Sequence, residues 1–164
     1  MIQAEGAAPF ARFSSGDKSE FVNEEHPQTL ASAIKIGAPV SWKKASRSVR
    51  ETNGYVITVS EQEIADAKAM NGRDGIGCEP ASATTVAGIR KLVTDGLIKK
   101  DESVVAVLTG HILKDTDYVI KYHSQTLRAP VDGDERSIHG TFANSITRVA
   151  ARPCAIESVL KNLS

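Results

Sequence analysis

The stretch Val104-Val105-Ala106-Val107-Leu108-Thr109-Gly110-His111 passes through five apolar residues, then breaks at a hydroxyl, a glycine and an imidazole. A segment apolar at every position predicts a strand of a parallel sheet with helices over both faces. The polar residues at its tip then lie on the carboxyl edge of that sheet, where ligands bind in α/β proteins. Upstream, Gly75-Ile76-Gly77-Cys78-Glu79-Pro80-Ala81-Ser82-Ala83 repeats the arrangement. Residues 76–78 read as a short extended piece, and a helix follows from about Ser82 to Asp95. Val86, Ile89 and Val93 form its apolar stripe and Gly96 caps its end.

Further out, Tyr55–Val59 is β-branched and aromatic and predicts a strand. Ser60 and Glu63 have the capping-box spacing, opening a helix that carries Ile64, Ala67 and Met70. Ile2–Ala4 reads as the stub of another strand, followed by a turn at Gly6-Ala7-Ala8-Pro9. A helix is expected over Thr29–Ile36, with Leu30, Ala33 and Ile34 on its apolar side and Gly37 and Pro39 ending it. Ser41 then serves as the N-cap of a helix bearing Trp42, Ala45 and Val49, which stops at Asn53-Gly54. Strands alternating with helices give an α/β sheet built by right-handed crossovers. The sheet has only about four strands, few for a doubly wound fold. Beyond Asp117 the alternation stops. Pro130, Gly133 and the charges Arg128, Asp132, Asp134, Glu135 and Arg136 predict a surface loop over Gln125–Gly140. Ala155–Leu163 is expected to be a closing helix.

A chain of 164 residues, 41% hydrophobic and 24% charged, suits one globular domain with a real core. Its 20 basic and 20 acidic residues balance, so no basic surface argues for nucleic acid. The apolar runs are too short to span a bilayer. No basic segment followed by a long apolar one marks a secretory signal, which points to the cytoplasm. Cys78 and Cys154 form no CxxC pair and read as reduced thiols.

Thr109 places a neutral hydroxyl beside a permissive turn. Such a group can hydrogen-bond a heteroaromatic nitrogen without bringing a charge, leaving a pyridine ring closer to neutral than a carboxylate partner would. The same threonine could instead satisfy its own turn backbone. Glu79 precedes a helix N-terminus, where the dipole favours negative charge, and could equally line a cleft. Ser82 reads as the N-cap. His111 is better explained as a turn histidine than a general base, because no Ser or Asp completes a triad. Lys43 and Lys44 look solvated and Lys114, beside Asp115, looks superficial; a Schiff-base lysine needs burial. Neither a glycine-rich phosphate cradle nor metal-site spacing is present.

Four segments, Gln3-Ala4-Glu5-Gly6-Ala7-Ala8-Pro9, Ile36-Gly37-Ala38-Pro39-Val40-Ser41-Trp42, Gly77-Cys78-Glu79-Pro80-Ala81-Ser82-Ala83 and Leu108-Thr109-Gly110-His111-Ile112-Leu113-Lys114-Asp115, together resemble threonine synthase. That family belongs to the pyridoxal-phosphate enzymes related to the tryptophan synthase β subunit. The resemblance covers residues 1–117 and weakens in the tail. It implies the C-terminal half of a three-layer doubly wound sheet, an incomplete one, with 1–117 belonging to the cofactor-binding large domain and 118–164 forming an extension. It implies pyridoxal 5′-phosphate as cofactor, Thr109 at the pyridine nitrogen and Glu79 on the ring side of the cleft. The implied reaction converts O-phospho-L-homoserine and water to L-threonine and phosphate, with no catalytic residue assigned in this chain. Ala38 departs from the asparagine often found there. The family's Schiff-base lysine is expected upstream of residue 1, so the chain alone is expected to be inactive. A homodimer of the complete enzyme, or pairing with a separately encoded N-terminal half, would supply the rest. The alternatives are a non-catalytic module and another enzyme of the superfamily, such as threonine dehydratase.

Overall fold

Strands β1 (Ile2–Ala4) and β2 (Ile57–Val59) pair in parallel, with Ile2 opposite Ile57 and Ala4 opposite Val59. The computed structural model describes residues 1–16 and 20–162. Between the two strands lie a short helix, α1 (Pro9–Ser14), and the ten-residue α2 (Trp42–Glu51). After β2 come α3 (Glu61–Arg73) and α4 (Pro80–Thr94), the two most closely packed elements. The fold is mixed α/β.

The Ser60–Glu63 signal is realised in full. Ser60 Oγ accepts the Glu63 N–H at 3.2 Å, and the Glu63 carboxylate accepts the Ser60 N–H at 2.7 Å. Two of the helix's otherwise orphaned donors are thus satisfied locally. From that start α3 presents two faces. Ile64 and Ala67, with Ala4, Val59, Cys78, Ala83 and Ala87, form the core under β1–β2. Ala65 and Ala69 join Tyr122, Leu127, Ala129 and Ile138 in a second cluster.

That second cluster corrects the expectation of a surface loop over 125–140. Helix α5 (Thr116–His123) leads into a hairpin of β3 (Arg128–Val131) and β4 (Asp134–Ser137). The turn is Asp132-Gly133, with φ +54° and +87°. Two consecutive positive φ values match the right-handed twist of a tight hairpin, and Asp-Gly tolerates them. Charges fill β4, which is exposed throughout, while Ala129 on β3 is fully buried. The closing helix is α6 (Pro153–Lys161); Leu163, expected at its end, lies outside the described residues.

Other expectations are revised. Over 29–36 only a 3-10 turn forms, Ser32–Ile34. Ahead of it Glu61 Oε2 accepts from the Leu30 N–H and Thr29 Oγ1 from the Ala31 N–H. Ser41 caps nothing with its side chain, and α2 buries no residue; Trp42 stacks on Phe21 at 4.9 Å between ring centroids. On α4 the buried positions are Pro80, Ser82, Ala83, Thr84, Ala87 and Gly88, whereas Val93 is exposed. The small residues let α4 approach the sheet closely, so a Cβ on Gly88 would overlap the Ile2 side chain.

Residues 76–78 and 104–108 belong to neither described sheet. Leu108 packs against the core and Ala106 is half-buried, but Val105 is 89% and Val107 71% exposed. The alternation is that of a strand, without the neighbour whose backbone groups would make a ladder.

Candidate functional site

The carboxyl tip of 104–108 meets the N-terminus of α4 in one polar corner. Helix α4 starts two residues earlier than expected, at Pro80, with extended Glu79 as its N-cap. Proline suits that first position because its missing N–H would be an orphan anyway. Ser82 is therefore inside the first turn and free for another task. Its hydroxyl accepts the Thr109 backbone N–H at 2.9 Å and lies 2.6 Å from Thr109 Oγ1.

Glu79 closes the corner from the other side. Its N–H donates to the Thr109 carbonyl at 3.1 Å, and its Oε1 accepts the Thr109 hydroxyl at 3.1 Å. Lys114 Nζ donates to Glu79 Oε2 at 3.3 Å. Both sequence-derived candidates, Thr109 and Glu79, are thus brought into contact, and Ser82 joins them in place of capping the helix. Thr109 is exposed and its side chain has a single proton to give. With Ser82 donating to it, that proton is directed to Glu79, and an acceptor arriving at the corner could take it instead.

Gly110 makes the approach possible. It has φ +75°, and a Cβ there would fall 2.8 Å from Glu79 Cβ. No L-residue fits without displacing the carboxylate-bearing chain. His111 is a turn residue: its Nδ1 accepts the Leu113 N–H at 3.2 Å, capping a 3-10 turn at Ile112–Asp115. Lys43 and Lys44 are exposed, and the Lys114 side chain is 61% exposed despite its ion pair.

Lys68 stands in none of the motif segments. It is 6% exposed on α3 and donates through Nζ to the Cys78 carbonyl. Burial lowers its proton affinity, partly countered by the thiol of Cys78 and the carboxylates of Asp115 and Glu79. Asn71 Nδ2 reaches Cys78 Sγ at 3.4 Å. Helix α3 therefore grips the residue immediately before Glu79 from beneath. Its position relative to Ile64, at i+4, is the signal that marks Lys68 as core-facing.

Residues 1–110 match the family model of pyridoxal-phosphate dependent enzymes. Over 142 residues the chain is 42% identical to a threonine synthase of Methanosarcina acetivorans, covering 85% of this chain and 35% of that protein. A threonine synthase of Methanocaldococcus jannaschii is 37% identical over 80% of this chain and 33% of its own length. One from Halalkalibacterium halodurans is 41% identical over 70% and 30%. The chain thus spans about a third of the length of these curated relatives. No helix among the described residues is long and apolar enough to cross a membrane.

Proposed function

Since this chain belongs to the family of pyridoxal-phosphate dependent enzymes, we propose that it forms the ring-nitrogen side of the cofactor pocket of a threonine synthase. In this reading residues 1–117 belong to the large domain of a three-layer doubly wound sheet, and 118–164 are an extension packed on it. The complete cytoplasmic enzyme converts O-phospho-L-homoserine and water to L-threonine and phosphate. The observation that carries the reading is the Thr109 hydroxyl, exposed at the corner and backed by Ser82 and Glu79.

The donor set fits the group. An unprotonated pyridine nitrogen needs one hydrogen-bond donor; the single Thr109 proton meets that need, and the Glu79 carboxylate beside it is paired with Lys114. When bound, the cofactor serves as an electron sink for carbanions at the substrate carbons. The chain's own residues set how strong a sink it is. A hydroxyl from Thr109 orients the ring without holding it protonated, Ser82 fixes the direction of that hydroxyl, and Glu79 accepts its hydrogen bond when the ring is absent. Gly110 leaves room for the Glu79 side chain to pack against the turn beside the threonine.

The test is a chimera in which residues 1–117 replace the matching segment of the Methanosarcina acetivorans enzyme. It should bind pyridoxal phosphate and release phosphate and threonine from O-phospho-L-homoserine. Thr109→Val in the chimera should weaken cofactor binding by about 1–3 kcal/mol, the cost of leaving a buried acceptor unpaired. A chimera that binds the cofactor but deaminates threonine instead would favour a dehydratase and refute this assignment.

A further inference from the structure

Behind Cys78, on the side of α3 away from β1–β2, lies a cavity of about 630 Å³ that Thr109 and Glu79 do not line. Its walls include apolar Ala65, Ala69, Val119 and Phe142, with Lys68 among them. At its mouth Gly72, Arg73 and Asn144 are exposed, so small molecules can enter. Tyr118 also lines it, and the buried Tyr118 hydroxyl has no hydrogen-bond partner. A cavity of this size, with an apolar majority and the polar side chains of Lys68, Arg73, His123 and Asn144 around it, suits a small organic ligand.

We propose that Lys68 is a carbonyl-capturing amine, and that the cavity admits a small aldehyde with an apolar body which Lys68 takes up as an imine. A buried amine is held toward its neutral, nucleophilic form, and desolvation acts on Lys68 in that direction. The nitrogen lone pair adds to the carbonyl carbon, a proton moves from nitrogen to oxygen, and a second proton, taken from solvent, lets that oxygen leave as water and gives the protonated imine. Nothing is oxidised or reduced. The protonated imine keeps one N–H, and the Cys78 carbonyl that now accepts from Lys68 is in place to accept it. The ring of Tyr118 walls the same cavity, while its hydroxyl is buried away from it, its ionisation pushed up by burial.

The experiment uses the 164-residue chain, benzaldehyde and cyanoborohydride at neutral pH, with adducts located by peptide mass spectrometry. The N-terminal amine, also lowered by burial, is the internal reference. Lys68 should be labelled ahead of the exposed Lys43 and Lys44, and Lys68→Arg should lose that adduct while the N-terminal label is unchanged. Labelling of Lys68 only after denaturation, or no faster than Lys43 and Lys44, would overturn the proposal. Should Lys68→Arg fail to fold, the order of labelling in the unaltered chain decides by itself.

Discussion

Replacing Gly110 with alanine perturbs the corner in two ways, and a second glycine separates them. Gly110 has φ +75°, and its added Cβ would lie 2.8 Å from Glu79 Cβ and 3.0 Å from Glu79 Cγ and Cδ. Gly133 has φ +87° and nothing within 4 Å of the same added atom. Either substitution forces an L-residue into the left-handed region, at about 1–2 kcal/mol. Either also stiffens the unfolded chain, returning about 0.4–1 kcal/mol. Both contributions cancel when the two variants are compared. What remains for Gly110→Ala is overlap with Glu79, and rotating that side chain does not relieve it because Cβ is fixed to the backbone at the N-cap of α4. Overpacking of this kind costs about 1–3 kcal/mol. Urea unfolding followed by circular dichroism should therefore place Gly110→Ala below Gly133→Ala by about that amount. Equal midpoints, with unchanged slopes, would refute the packing of Glu79 over Gly110 and with it the geometry of the corner.

Two other predictions concern the supports of α3. Ser60→Ala removes the cap of the Glu63 N–H and should lower stability by about 0.5–2 kcal/mol in urea, whereas Ser41→Ala, which removes no cap, should stay within about 0.5 kcal/mol. Glu61 is 7% exposed, and burial raises its pKa above the ordinary value. Between its unfolded and folded values the native chain therefore holds a proton the unfolded chain has released, so stability falls as pH rises through that window. Glu61→Gln should flatten this limb by at most about 1.4 kcal/mol per pH unit, the limit for one proton; parallel urea series from acid to neutral pH would show it, and identical slopes would contradict it.

Local signals were the most legible. The Ser60–Glu63 box depends only on neighbours in sequence, whereas α4 starts at Pro80 and not at Ser82, with Glu79 as its N-cap. That shift has a physical source: Ser82 has a better partner in Thr109, 27 residues away, than in its own helix. The corner itself was partly readable, since Thr109 and Glu79 announce themselves at the ends of apolar runs. The hairpin was hidden by its charge. Asp132-Gly133 is a tight-turn signal, but the charges of β4 face solvent and masked the burial of Ala129 and Ile138 on α3. Residues 104–108 carry the composition of a strand, and a ladder is a property of two segments, not one. Lys68 was overlooked because a lysine on a helix is usually solvated; its burial depends on Cys78 passing over it.

The carboxylate of Asp66 on α3 accepts the Tyr122 hydroxyl at 2.6 Å, the Gln62 amide at 3.1 Å and the Thr141 hydroxyl at 3.1 Å. Gln62 also exchanges two hydrogen bonds with the backbone of His139. Most of these partners lie 56 to 77 positions downstream. During synthesis α3 therefore emerges well before the hydroxyls that hydrogen-bond its outer face, and water must serve that carboxylate in the interval. Closing so wide a loop is entropically slow. Thr141, together with Phe142, whose N–H donates to the Tyr122 hydroxyl at 3.1 Å, is the latch that closes last over the helix.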